Sequence, residues 1–133
     1  MIKEDKQLLL KDLCARLPYG VQIHYHWSVG DNVIDEDREI DFSDVETLKY
    51  TIEEPQKPSE LITISFMPYL RPISSMTVKE MREFLFSIKS GECKGFPLTV
   101  DKQDWLNEHH FDYRGLIPMG LALEAPEGMY KED

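Results

Sequence analysis

Apolar residues along the chain follow two different spacings, and the alternation between them predicts the elements. Over residues 5–17, Leu10, Leu13, Cys14 and Leu17 share one helical face, and Pro18 and Gly20 end the helix. Cys14 on that stripe reads as a small buried hydrophobe. Residues 21–29 alternate strictly, with Val21, Ile23, Tyr25, Trp27 and Val29 on one face and Gln22, His24, His26 and Ser28 on the other, which predicts a strand. Gly30, Asp31 and Asn32 form a turn. A second strand over 33–42 should return antiparallel. Ile34, Ile40 and Phe42 share a face that Glu36 and Arg38 interrupt, so this is expected to be an edge strand or a partly mobile excursion. Leu48, Tyr50 and Ile52 alternate with polar residues and predict a third strand, which the breaker EEPQKPS follows. Ile62, Ile64 and Phe66 predict a fourth over 61–67.

The second half turns to helices. Thr77 and Glu80 stand at capping-box spacing, with Met76 and Met81 placed as the hydrophobic staple. Met81, Phe84, Leu85 and Ile88 should form the buried stripe, and Gly91 should stop the helix. The loop GECKGFP carries Cys93. A second start signal follows, with Asp101 as cap, Asp104 three residues on and Val100 with Trp105 as staple. It predicts a helix from 101 to about 111, ending at Tyr113, Arg114 and Gly115. From Leu116 to Met129 the chain carries Leu116, Ile117, Met119, Leu121, Leu123 and Met129 around Pro118, Gly120 and Pro126. Packed back on the domain, this tail completes the core; exposed, it would offer a patch to a partner or a homodimer. The expected fold is α+β in one domain over 1–133: an N-terminal helix, a small antiparallel sheet of about four strands, two C-terminal helices and a docked apolar tail.

Charge narrows the function. The 133 residues carry a formal net charge of −10, which favours solubility and opposes contact with nucleic-acid phosphates. No local basic patch offsets this, because Arg71, Lys79, Arg82, Lys89 and Lys94 are interleaved with Glu80, Glu83 and Glu92. Direct nucleic-acid binding is therefore disfavoured. Residues 1–67 hold 14 acids and 7 bases, so the negative excess lies mostly in the first half. The start MIKEDKQLLLKDL lacks the form of a secretory signal, and no apolar run reaches the length of a membrane span, so the expected setting is cytoplasmic. Cys14 and Cys93 fit neither a disulfide framework nor a zinc spacing and are expected to be reduced thiols.

Three constellations carry candidate chemistry. His24 and His26 project from one strand face and His109 with His110 closes a helix. If the two pairs met, with Asp112 or Asp104, they could hold zinc and activate a water for hydrolysis. Against this, His24 and His26 lie on the face marked as polar, and adjacent helical residues point about 100° apart. A histidine at a helix C-terminus also complements the dipole without any metal. A Cys93, His109 and Asp112 nucleophilic set can be written down, but no local motif supports it. The glycines Gly91, Gly95, Gly115 and Gly120 match no phosphate-binding fingerprint. The stretch from Asp31 to Glu46 contains eight carboxylates and one arginine. It could bind calcium, though without the ligand order of an EF-hand, mimic nucleic-acid phosphates toward a basic protein, or keep an edge strand soluble. Tyr69, Arg71, Tyr113 and Arg114 are of the kind that anchors interfaces, or that stacks and caps internally.

The segments LLLKDLCARLPYGV (8–21), YLRPISSMT (69–77) and WLNEHHFDYRGLIPMGLALEAPEGMY (105–130) resemble those of a family of short uncharacterised proteins from Bacteroides-type gut bacteria and their phages or mobile elements. The resemblance implies a bacterial or phage cytoplasmic setting and brings no catalytic residue with it. The expected function is a non-enzymatic accessory or protein-interaction module. It would bind an unidentified basic partner through Asp35, Glu36, Asp37, Glu39 and Asp41, with Arg71, Tyr113 and Arg114 as further anchors. The alternative is a small metal-dependent hydrolase with zinc on His24, His26, His109 and His110.

Overall fold

A computed structural model describes residues 3–53, 62–85 and 100–130 of the chain. The fold is α+β, in the order α1 (Lys3–Arg16), β1 (Gln22–Val29), β2 (Asn32–Glu39), α2 (Phe42–Glu53), β3 (Ile62–Pro72), α3 (Val78–Leu85), α4 (Val100–Glu108), β4 (Phe111–Asp112) and β5 (Leu123–Glu124).

β1, β2 and β3 form the sheet's antiparallel centre, in the order β2-β1-β3. The expected all-antiparallel sheet is in fact mixed, because β3 also carries two short parallel partners. Arg71 and Pro72 pair with β4, and Tyr69 and Leu70 pair with β5. The β1–β2 turn has Gly30 at φ 58 in its first central position and Asp31 outside the positive-φ region, the arrangement of a type II′ hairpin.

Two expectations in the first half of the chain are corrected. α1 buries Leu9, Asp12, Leu13 and Arg16, so its inner face is rotated from the expected one and Cys14 is exposed. The buried Asp12–Arg16 pair causes the rotation, since these charges occupy positions that an apolar count assigns to water. Residues 48–52 are not a strand but the second half of α2. Asp41 caps that helix by accepting the Asp44 N–H at 3.1 Å, while the Asp44 carboxylate accepts the Asp41 N–H at 3.0 Å. Val45 and Leu48 are then buried one turn apart and Ile52 packs beside them, while Tyr50 faces water.

The capping box at α3 forms as expected, with the Thr77 N–H on Glu80 Oε1 and the Glu80 N–H on Thr77 Oγ1. The expected stripe below it does not. Met81 and Leu85 are exposed and Glu80 is buried, because the Glu80 carboxylate turns inward to meet Arg71. Ile88, Gly91 and Cys93 lie outside the described residues. α4 ends at Glu108, and His110 leaves it at φ 65. The tail docks: Leu116, Leu121 and Ala122 join Leu9, Leu13, Val21, Ile23, Ile40, Val45, Leu48, Phe66 and Leu70 in one core. Asp112 sets its entry by accepting the Leu116 and Ile117 N–H groups, each at 2.9 Å.

Candidate partner-binding surface

Among the described residues, β2 is an open edge of the sheet. β2 sits at the end of the strand order, paired among the described residues only with β1, and every residue from Asn32 to Glu39 is exposed except the half-buried Arg38. The hydrogen-bond phase of the ladder shows which backbone groups are open. The Ile40 N–H donates to Val21 O at 2.9 Å, so in an antiparallel ladder Arg38, Glu36, Ile34 and Asn32 also turn their backbone groups toward β1. Val33, Asp35, Asp37 and Glu39 turn theirs outward. On β1, the N–H of Gln22, opposite Glu39, points away from β2 accordingly and is taken by the Tyr130 hydroxyl at 2.8 Å.

The same alternation sorts the side chains. Asp37 lies opposite His24 and Asp35 opposite His26, so these four share the sheet face that carries no core. His24 contacts Asp37 Oδ1 through Nδ1 at 2.8 Å and Asp35 Oδ1 through Nε2 at 3.2 Å, and His26 Nδ1 lies 2.7 Å from the same Asp35 oxygen. The Tyr69 hydroxyl from β3 donates to Asp37 Oδ1 at 2.8 Å. Hydrogen bonding to Asp37 is the first cause that raises the His24 pKa; the bond with His26 first of all holds Asp35, and the bond with His24 first of all holds Asp37, below the usual carboxylate range. Glu36 and Arg38 lie on the opposite face. There Arg38 grips Asp44 with two contacts of 2.6 Å, meets Glu36 at 3.1 Å and covers the Tyr25 ring at 5.0 Å. Asp44 first, with Glu36 and Asp41, raises the Arg38 pKa and keeps it a cation that ties β2 to α2. Glu39 lies over Gly20, where an added Cβ would come within 2.5 Å of the carboxylate and where φ is +69. Glycine at that corner lets the acidic strand end close to α1.

Of the expected surface residues, Asp35, Glu36, Asp37, Glu39 and Asp41 are therefore together and exposed on β2 and at its end. Arg71, Tyr113 and Arg114 are not with them. Arg71 makes a two-pronged contact with Glu80 at 2.6 and 2.7 Å and covers the Phe111 ring at 4.2 Å, and this pairing first of all pulls the Glu80 carboxyl down to about 2. Arg114 donates to Asp12 at 3.1 Å and to the Tyr113 hydroxyl at 3.0 Å, which in turn donates to Asn107 at 3.0 Å. All three are half-buried and engaged by partners within the chain. Arg71 and Glu80 also line a cleft of about 650 Å³, with His109, Glu124, Glu127 and Tyr130.

The histidines fall into two settings. His24 and His26 belong to the carboxylate ladder. The His109 ring lies 4.1 Å from Trp105, and the His110 ring stacks on Tyr130 at 3.7 Å. Burial, and then the nearby Arg16 charge, lowers the His110 pKa to about 4. Among the described residues no group of three or more His, Cys, Asp or Glu side chains is arranged to hold a metal ion. Of the nucleophilic set, Cys93 is outside the described residues, while Asp112 serves as the backbone acceptor at the start of the tail.

Sequence reasoning missed Arg16 and Tyr130. Arg16 is wholly buried, bonded to Asp12 at 2.8 Å and to Phe111 O at 2.7 Å, and its i, i+4 spacing to Asp12 was the available signal. Nothing local marks Tyr130. Among the described residues no helix is long and apolar enough to cross a membrane. Comparison with known protein families, with curated proteins and with solved structures finds no match to this chain.

Proposed function

We propose that the chain is a non-enzymatic protein-interaction module, in the bacterial or phage setting the resemblance implies, that takes a basic, extended segment of a partner along the open edge of β2. The observation that carries this reading is the outward set Val33, Asp35, Asp37 and Glu39, whose backbone N–H and C=O groups meet no neighbouring strand among the described residues. An extended segment satisfies such groups by adding as a strand. Carboxylates at alternate positions then select for sign: lysine or arginine on the added strand meets Asp35, Asp37 and Glu39, whereas a second copy of β2 would set carboxylate against carboxylate. The acidic edge both deters self-pairing and recruits a basic strand.

The test uses a peptide of alternating lysine and valine, titrated against the whole chain. Saturable one-to-one binding is expected, weakened about tenfold by raising the salt severalfold and by the combined Asp35→Asn, Asp37→Asn and Glu39→Gln changes. Val33→Pro should also weaken it while leaving the β1 ladder intact, since proline there removes only an outward N–H. Binding that is unsaturable, or indifferent to both variants, overturns the reading. A pull-down from bacterial lysate, with the triple variant beside the native chain, would then name the natural partner.

A further inference from the structure

Resting on that binding reading, the geometry around His24 points to its regulation. Both ring nitrogens of His24 lie within hydrogen-bonding distance of carboxylate oxygens, Nδ1 at 2.8 Å from Asp37 and Nε2 at 3.2 Å from Asp35. An ionised carboxylate only accepts, so both nitrogens must carry hydrogen, and the ring that satisfies this geometry is the imidazolium. A neutral ring would turn one lone pair toward an anion. His24 is thus a built-in cation occupying the two carboxylates that an added basic strand would seek.

Among the described residues, three strands supply the surroundings of the ring. β2 contributes Asp35 and Asp37. β3 contributes Tyr69, whose hydroxyl donates to Asp37, and the uncharged Met67 directly opposite His24. β1 contributes His26, which shares Asp35 Oδ1. Glu36 and Arg38 face the other side. Asp35 and Asp37 are held below the usual carboxylate range, so the charge on His24 can change near neutrality while theirs does not.

We propose that the β2 edge is proton-linked: a basic segment that pairs with Asp35 and Asp37 displaces them from His24, whose proton then leaves to solvent, so that occupancy rises with pH through the neutral range. The lysine or arginine of the incoming strand stays charged throughout, and the exchange is of one cation for another at the same two anions. Losing Asp37 and Asp35 removes what favoured the imidazolium, and the ring returns toward ordinary histidine behaviour. By linkage, a pH that removes the proton beforehand strengthens binding, and binding removes the proton. Acidification closes the edge with the protein's own side chain.

The experiment is calorimetry with the alternating lysine and valine peptide. The dissociation constant of the native chain should fall about three- to tenfold from about pH 5.5 to about pH 8. Near pH 7, the heats in two buffers of different ionisation enthalpy should differ by the release of up to about one proton. His24→Gln should bind at both pH values with one affinity, and the His24 ring resonances of the native chain should titrate at lower pH with peptide bound than without. Peptide bound with the same affinity at both pH values and with buffer-independent heats overturns the proton linkage while leaving the binding reading in place. So does full pH dependence retained in His24→Gln. No saturable binding at any pH overturns the binding reading and the linkage with it.

Discussion

Asp12 and Arg16 stand one turn apart on α1, both wholly buried, joined by a 2.8 Å contact from Arg16 Nε to Asp12 Oδ2. Arg114 reaches the other oxygen of Asp12 at 3.1 Å, so one carboxylate serves two guanidinium groups. Arg16 also lies against the Tyr113 ring at 5.3 Å and donates to Phe111 O, which joins α1 to the chain after α4. Asp12→Asn removes the charge and leaves two cations facing each other in the interior. The expected loss is about 3–5 kcal/mol in urea unfolding, with a smaller loss for the double change Asp12→Leu and Arg16→Met, which leaves no buried unpaired charge on α1. A single variant as stable as the native chain would show that the pair does not hold the two segments together.

The docked tail makes its own prediction. Leu121 is 3% exposed within the shared core, and its N–H bonds Leu116 O. Leu121→Asp should cost about 3 kcal/mol or more, through lost burial and a desolvated carboxylate. An unchanged melting temperature would mean that the tail is no part of the core.

α2 can be tested at its cap. Asp41 is exposed and its carboxylate accepts the Asp44 N–H, so Asp41→Ala should lower stability by about 1 kcal/mol with a small loss of helical circular dichroism. No such loss is expected if residues 48–52 form a strand, where Asp41 would be an ordinary polar residue.

Stability should decline toward acid in two stages. His110 has a folded pKa lowered to about 4, so the unfolded chain binds its proton first. The contribution of the neutral ring is complete above about pH 6.5 and is lost as pH falls toward 4. With the ring half-buried, solvent screening limits this stage to about 1–2 kcal/mol. Glu80, held down to about 2 by Arg71, contributes fully above about pH 4.5 and loses that contribution as pH falls toward 2. His24 has the opposite sign: its folded pKa is raised, so its contribution is present below about pH 6.5 and fades as pH rises through the folded value. His110→Asn tolerates the positive φ and does not titrate, and it should abolish the first acid stage alone. Denaturation midpoints collected against pH check each stage.

The first strand and its turn were legible because period-two alternation and a glycine turn are local signals, whereas the return strand was drawn too long: it ends at Glu39, and Phe42, read as strand, opens α2. The Thr77–Glu80 cap was legible for a similar reason, being wholly local. α2 was misread because Leu48, Tyr50 and Ile52 satisfy a strand period, while the competing helical set Val45, Leu48 and Ile52 depends on the Asp41–Asp44 cap for its start. The inner face of α1 was misplaced because buried Asp12 and Arg16 contradict the sorting by polarity on which such a reading rests. β4 and β5, with two residues each, leave no periodic trace. At the candidate surface, the acidic residues and the polar face of His24 and His26 could be read directly. Their pairing could not, because it depends on cross-strand register, and the engagement of Arg71, Tyr113 and Arg114 by Glu80, Asn107 and Asp12 depends on tertiary partners.

Tyr130 fastens two strands with a single oxygen, accepting the Gln22 N–H at 2.8 Å and donating to Tyr69 O at 2.7 Å. Those bonds join residues 108 and 61 positions apart in the chain. Long loops must close before contacts of that span form, so they come late in folding. On the ribosome, α1 and the β1–β2 hairpin emerge early and can form from near neighbours, yet the Gln22 N–H that opens β1 cannot meet its partner until Tyr130 has been made and released from the tunnel.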